Sequence, residues 1–300
     1  MNTKFYLPVL ALAMAAMSCD NKKEVSTAGI EPANLDKTVS PSADFYQFAC
    51  GGWMNMHPLT DEYSRFGSFD LLAENNRQQL KGLIEELAAA PSEKGTVARK
   101  VGDLYNLAMD SAKLNAEGYF PIESQLKKIA GLTGRQELVK VVAEMTRQGY
   151  GPYFGIYVGA DDMNSSMNLV QTYQGGLGLG DRDYYLGADE HNREIRSKYE
   201  EHMVRMFELA GWSNMQAREA AAAVMAIETQ LATASYEKVK LRDPLANYHK
   251  MTVEELEKEI PGVDWKVYFE TIGLPGIEEL NVAQPEPIRE VARIWNNSPL

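Results

Sequence analysis

Pro41-Ser42-Ala43-Asp44-Phe45-Tyr46-Gln47-Phe48-Ala49-Cys50-Gly51-Gly52-Trp53, followed ten residues later by Ser64-Arg65-Phe66-Gly67-Ser68-Phe69-Asp70, is the densest pattern in this chain. Phe45, Tyr46, Phe48 and Trp53 put four large aromatics in nine residues, more than a solvated linker carries. Gly51-Gly52 predicts a turn with unrestricted backbone angles between two anchored aromatic segments. On residue types alone, this is an aromatic staple that ties a loose amino terminus onto a core. Downstream, Arg65 brings a planar fork suited to a carboxylate. Asp70 offers that fork an internal ion-pair partner.

Toward the amino terminus the pattern changes. Lys4 gives a positive start, Phe5 to Met17 is an apolar run too short to span a membrane comfortably, and small residues precede Cys19. Residues 1–19 therefore predict a lipoprotein signal peptide with Cys19 as the lipidated residue, although Ala16 stands where Leu is commoner. Residues 20–40, charged and small-polar, predict a flexible tether. With Cys19 lipidated, Cys50 has no partner within the chain and is either free or paired to something outside it. The expected location is the bacterial cell envelope, as a membrane-anchored lipoprotein on the periplasmic side or exposed at the surface.

The formal net charge of −12 over 300 residues argues against nucleic acid and against an electrostatic membrane patch. Apolar content is that of a globular protein with a sizeable core. Leu80, Leu83, Ile84 and Leu87 predict one face of a helix over about 70–90, with Pro91-Ser92 as break and next cap. Val97 to Ala108 and Arg135 to Gln148 predict two more amphipathic helices. Pro152 to Ala160 and Met167 to Tyr173 predict a β-hairpin across Asp161-Asp162-Met163-Asn164. Gly175 to Gly180 lacks the Lys-Ser/Thr ending of a phosphate loop and predicts only a flexible connection. Long helices follow over 192–210 and 214 to about 239, their methionines acting as core filler, and a short one over 253–260. Val291, Ala292, Ile294 and Trp295 start an amphipathic helix that is expected to stop in mid-pattern.

The quoted stretch resembles the amino-terminal signature of the neprilysin and endothelin-converting-enzyme family of zinc metallopeptidases. Further blocks resemble that family in the same order: Asp181-Arg182-Asp183-Tyr184-Tyr185-Leu186, Lys240-Leu241-Arg242-Asp243-Pro244, and Tyr248-His249-Lys250-Met251-Thr252. Together they span about 41–300. The resemblance implies a mainly α fold, a large helical lobe with one small β-hairpin, truncated before the zinc-binding catalytic domain. It implies that Arg65 reaches the carboxylate of short peptides, with Asp70 supporting it. It also implies a disulfide from Cys50 to a cysteine near the far carboxyl end, a pair that some bacterial members lack. The aromatics of the staple would pack on the catalytic lobe.

A metallopeptidase zinc needs three protein ligands and a water, two of them commonly from H-E-x-x-H on one helix. The chain has four histidines, His57, His191, His202 and His249, and no such motif. His191 and His202 on one helix would stand about 16 Å apart. Glu190 and Glu194 beside His191 suit a helix amino terminus. No catalytic residue and no metal ligand is expected in this chain, and the chain alone is expected to be inactive. Two functions remain open. One is the front portion of an exported zinc metalloendopeptidase that acts on oligopeptides, with zinc bound by residues after 300. The other is a catalytically inactive lipoprotein that binds peptides or serves as a scaffold.

Overall fold

The structure, a computed structural model, describes residues 29–299 except 61, 64 and 91. Cys19 and the apolar run before it lie outside the described residues. The chain divides into two units, Met1–Asp110 and Ser111–Leu300.

In the first unit, Asp44 caps α1 (Phe45–Met56) by accepting the Gln47 amide at 2.9 Å. The helix runs straight through Gly51 and Gly52, where a turn was expected. Close approach, not a bend, explains the glycines. A Cβ on Gly52 would stand 2.3 Å from the Ala33 carbonyl oxygen, and one on Gly51 would stand 2.7 Å from Asp36 Cβ. Residues 31–36, assigned to the tether from composition, instead dock on α1. The Asp36 amide donates to the Phe48 carbonyl at 2.8 Å, and Gln47 Nε2 donates to Asp36 Oδ2 at 3.1 Å. Hydrogen bonds from Thr38 and Gln47 hold the Asp36 carboxyl below its ordinary range.

Helices α2 (Ser68–Ala89) and α3 (Val97–Met109) are present as expected and pack on each other, but Thr96, not Ser92, caps α3, accepting the Arg99 amide at 3.2 Å. Gly102 is buried against the Leu87 carbonyl, where a Cβ would come within 2.7 Å. That contact turns Ile84 and Leu87 inward and leaves Leu80 and Leu83, expected in the core stripe, exposed. Among the described residues α2 packs chiefly against α3, so its apolar arc is wider than the surface that covers it.

The second unit opens with α4 (Ser111–Glu117), α5 (Glu123–Ala130) and α6 (Arg135–Arg147). The expected hairpin is present as β1 (Phe154–Asp161) and β2 (Asn164–Gln174), with the Met163 amide bonded to Asp161 Oδ1 at the turn. Then come α7 (Arg182–Leu186), α8 (Glu190–Leu209), α9 (Asn214–Ala234), β3 (Lys250–Thr252), α10 (Val253–Glu259), α11 (Trp265–Ile272), β4 (Glu279–Val282) and α12 (Pro285–Asn297). The fold is mainly α, and the hairpin grows into a four-stranded mixed sheet of order β1-β2-β4-β3. Strand β4 runs parallel to β2 with Val170 opposite Leu280, and β3 runs antiparallel to β4 with Met251 opposite Leu280.

Buried amides hold that register. Asn281 Nδ2 donates to Gln171 Oε1 at 2.8 Å, Asn281 Oδ1 accepts the His249 amide at 2.6 Å, and Gln284 Oε1 accepts the Gln174 amide at 2.8 Å. Paired buried polar groups specify one alignment where an apolar contact would tolerate a slip. The main core packs Val139 and Val142 of α6, Phe154, Leu280 and Val282 of the sheet, Trp265, Tyr268 and Phe269 of α11, and Ile288, Val291 and Trp295 of α12. A second cluster joins Tyr185, Met203, Ala221 and Met225 across α7, α8 and α9. Met203 and Met225 are core filler as expected, whereas Met206 is exposed. Helix α9 ends at Ala234, short of the expected 239. Helix α12 does not stop in mid-pattern: the Ser298 amide closes it on the Ile294 carbonyl at 2.9 Å.

Candidate functional site

Arg65 sits on the connection between α1 and α2, and the sequence around it holds that connection on both sides. The next residue, Phe66, stacks on Trp53 with ring centres 6.2 Å apart and meets Tyr63 edge-on at 5.0 Å, while Trp53 also stacks on His57 at 4.4 Å. Downstream, Asp70 Oδ2 accepts the Gly67 amide at 2.8 Å and fixes the first turn of α2. An acid at the third position of a helix satisfies an otherwise unpaired donor and complements the helix dipole. The Tyr63 hydroxyl donates to Glu74, which Arg77 also holds, and that bond keeps the Tyr63 phenol above its ordinary value.

The Asp70 carboxylate is therefore used on its own helix. Among the described residues Arg65 makes no ion pair with it, and the guanidinium is exposed. A small cavity of about 260 Å³ lies beside this connection, lined by Tyr63, Phe66 and Glu74 among others. Among the described residues Arg65 has no ion-pair partner. Cys50 is half-buried on α1 with a free thiol.

The second unit holds a polar cluster that sequence reading missed. Glu228 of α9 is 9% exposed. Its Oε1 accepts the Gly178 amide at 3.2 Å and the Tyr199 hydroxyl at 3.1 Å, and its Oε2 accepts the Tyr185 hydroxyl at 2.7 Å. The Tyr185 oxygen in turn accepts the Leu179 amide at 2.9 Å. Burial first, then the neighbouring carboxylate, pushes the Tyr199 phenol up to about 12, and burial drives Tyr185 higher still. The Gly175–Gly180 connection is thus pinned to α9, not flexible. A Cβ on Gly178 would fall 2.0 Å from the Tyr199 hydroxyl oxygen, so the glycine there is needed for approach. The signal was present: Glu228 falls on the apolar stripe of Val224 and Leu231, where an unsupported charge is too costly to bury.

The histidines do not converge. His57 lies in the first unit, His191 and His202 lie on the exposed face of α8, and His249 Nδ1 is buried beside β3 with no hydrogen-bond partner among the described residues. Glu194 pairs with Lys198 at 2.6 Å. Among the described residues, no group of three His, Cys, Asp or Glu side chains is placed to hold a metal ion. Nor is any described helix long and apolar enough to cross a membrane.

Comparison with known proteins matches residues 41–300 to peptidase family M13. Endothelin-converting enzyme 1 of Mus musculus is 34% identical over 280 residues, which cover 88% of this chain and 35% of that protein. Endothelin-converting enzyme-like 1 of Homo sapiens is 29% identical over 299 residues, covering 94% of this chain and 38% of that protein. Among solved structures, zinc metalloprotease Zmp1 of Mycobacterium tuberculosis, in complex with an inhibitor, superposes with a TM-score of 0.81 at 30% identity. That match covers 90% of this chain and 41% of Zmp1. The chain thus spans somewhat more than a third of the length of these relatives. The matched span takes in the braced Arg65 connection, the hairpin and the Glu228 cluster alike, and the chain belongs to peptidase family M13.

Proposed function

We propose that these residues are the amino-terminal part of an exported, lipid-anchored zinc metalloendopeptidase that cleaves oligopeptides, with the zinc-binding residues after position 300. The observation that carries this reading is the ordered match over 41–300 to relatives whose polypeptides are more than twice as long. In it, the first unit presents Arg65 to the substrate. Phe45 and Tyr46, 69% and 68% exposed on α1, meet the catalytic part of the molecule.

Arg65 supplies the test of the substrate role. A charge-assisted contact contributes roughly 1.5–3 kcal/mol, so Arg65→Met in the complete enzyme is expected to reduce kcat/KM for short peptides with a free carboxyl end by about tenfold or more. Amidated versions of the same peptides, which lack the charge, are expected to change little. Equal loss on acids and amides would make Arg65 structural.

The anchoring half of the reading rests on Ala16-Met17-Ser18-Cys19. Expression of Cys19→Ala in the native host is expected to move the protein from the membrane fraction to the soluble envelope fraction. Unchanged membrane association would remove the lipid anchor from the account.

A further inference from the structure

Asp70 and Glu74 stand one turn apart on α2, so both carboxylates face the same side of the helix. Each is engaged by the connection that carries Arg65. Asp70 holds its backbone at the Gly67 amide, and Glu74 holds a side chain, because the Tyr63 hydroxyl donates to Glu74 Oε1. Arg65 lies between these two grips. Glu74 is itself fixed. Arg77, a further turn along α2, pairs with the same carboxylate oxygen and reaches the Tyr63 hydroxyl at 3.5 Å. The half-buried Tyr63 ring meets Phe66 edge-on, which ties the grip to both neighbours of the arginine segment.

The stability of α2 does not account for this arrangement. Glu74 lies beyond the first turn, where an acid has no unpaired helix amide to satisfy. Its pair with Arg77 is a surface ion pair, which contributes little, and a tyrosine hydroxyl is equally well served by water. What the bond adds is order in the connection. Held at Gly67 alone, the connection would let the guanidinium sample many directions; held on both sides, it samples few. An anion that requires one direction binds more weakly in proportion as that direction is less populated.

We propose that Glu74, acting through Tyr63, is a positioning residue for Arg65 and thereby sets the affinity for peptides with a free carboxyl end. Arg77 keeps the Glu74 carboxylate on Tyr63, so that it does not neutralise Arg65. The inference rests on the reading above that Arg65 meets the peptide carboxylate.

The test uses the complete enzyme with matched short peptides, acid and amide. Tyr63→Phe keeps the ring against Phe66 and removes only the hydroxyl. It is expected to raise KM for acid peptides about three- to fivefold with kcat little changed, and to leave kcat/KM for amides within about twofold. Glu74→Ala is expected to do the same, and Glu74→Gln, which keeps an acceptor for the hydroxyl, to recover most of the loss. Placed on Arg65→Met, Tyr63→Phe is expected to add nothing, because an absent guanidinium needs no positioning. If Glu74→Ala fails to fold, Tyr63→Phe decides alone. A merely structural role would move acids and amides alike and would persist on Arg65→Met, and either result overturns the positioning role. Acid selectivity lost in Arg65→Met but kept in Tyr63→Phe and Glu74→Ala overturns it too, and leaves the substrate reading of Arg65 intact. No selective effect in Arg65→Met itself overturns both.

Discussion

Replacing Glu228 with leucine is expected to destabilise the unit 111–300 by about 3 kcal/mol or more, read as a lowered denaturant midpoint. The variant keeps the volume on α9 and removes the acceptor for three donors, Tyr185, Tyr199 and the Gly178 amide. Each buried donor left unpaired carries about 1–3 kcal/mol, and only the Tyr185 oxygen retains another bond, from Leu179. Glu228→Gln preserves the shape and an acceptor oxygen, but its amide nitrogen cannot accept from a hydroxyl or an N–H. A loss of about 1–2 kcal/mol is expected. Amide exchange across 175–180 should accelerate in both variants, because the carboxylate is what ties that connection to α9.

The two tyrosines of this cluster, with Tyr236 and Tyr268 elsewhere in the unit, set a pH dependence. Tyr199, Tyr236 and Tyr268 are pushed up to about 12, and Tyr185 is also raised, all chiefly by burial. A phenol whose folded value lies above its unfolded value of about 10 holds its proton longer in the folded state. Its stabilisation is complete below about pH 10 and is lost as pH rises toward about 12. Unfolding monitored across that window should show a falling midpoint. In Glu228→Gln the decline should be shallower, since the neighbouring charge adds to burial at Tyr185 and Tyr199.

The second large effect lies in the first unit and opposes two glycines on helices. Gly82→Ala in α2 is expected to stabilise by about 0.5–1 kcal/mol, because nothing stands within 4 Å of the new methyl and alanine is the better helix former. Gly52→Ala gains the same propensity on α1, yet its methyl would lie 2.3 Å from the Ala33 carbonyl oxygen and 2.9 Å from that of Leu35. Both atoms are backbone, so the docked segment must move. Overpacking of this kind costs about 1–3 kcal/mol, and Gly52→Val should exceed it. The marker is local. Exchange of the Asp36 amide, which bonds to Phe48, should rise in both Gly52 variants and stay unchanged in Gly82→Ala. A stabilised Gly52→Ala would contradict the close approach of residues 33–35 to α1.

Those two glycines also mark where sequence reading ends. Residue type said that a Cβ was unwelcome at positions 51 and 52 but not why: a turn and a tight helix contact make the same demand. The helices over 97–109 and 135–147 were legible because their apolar residues recur every three or four positions, and the hairpin was legible because β-rich runs flank Asp161 to Asn164. Strands β3 and β4 were not, since three or four residues carry no alternation. The placement of β4 beside β2 is marked by Asn281 reaching Gln171, a contact between positions 110 residues apart. Leu80 and Leu83 were assigned to a buried stripe because periodicity reports which face is apolar, not how much of it a neighbour covers.

At the site, the job of Asp70 was not legible. A fork and an acid five residues apart read equally well as an ion pair, until the Gly67 amide is seen to occupy the carboxylate. The glycines of 175–180 do not by themselves reveal that Glu228 holds them. A lone acid on an apolar stripe was the better clue.

The central claim, that these residues form a part of a zinc peptidase which does not itself hold the metal, is tested most directly by metal analysis. The 300-residue chain and the complete product of its reading frame would be purified side by side, measured for bound zinc and assayed for cleavage of short peptides with and without chelator. The account predicts no stoichiometric zinc and no chelator-sensitive cleavage for the 300-residue chain. It predicts about one zinc per molecule and chelator-sensitive cleavage for the complete protein. One tightly bound zinc per 300-residue chain, accompanied by peptide cleavage, would contradict it.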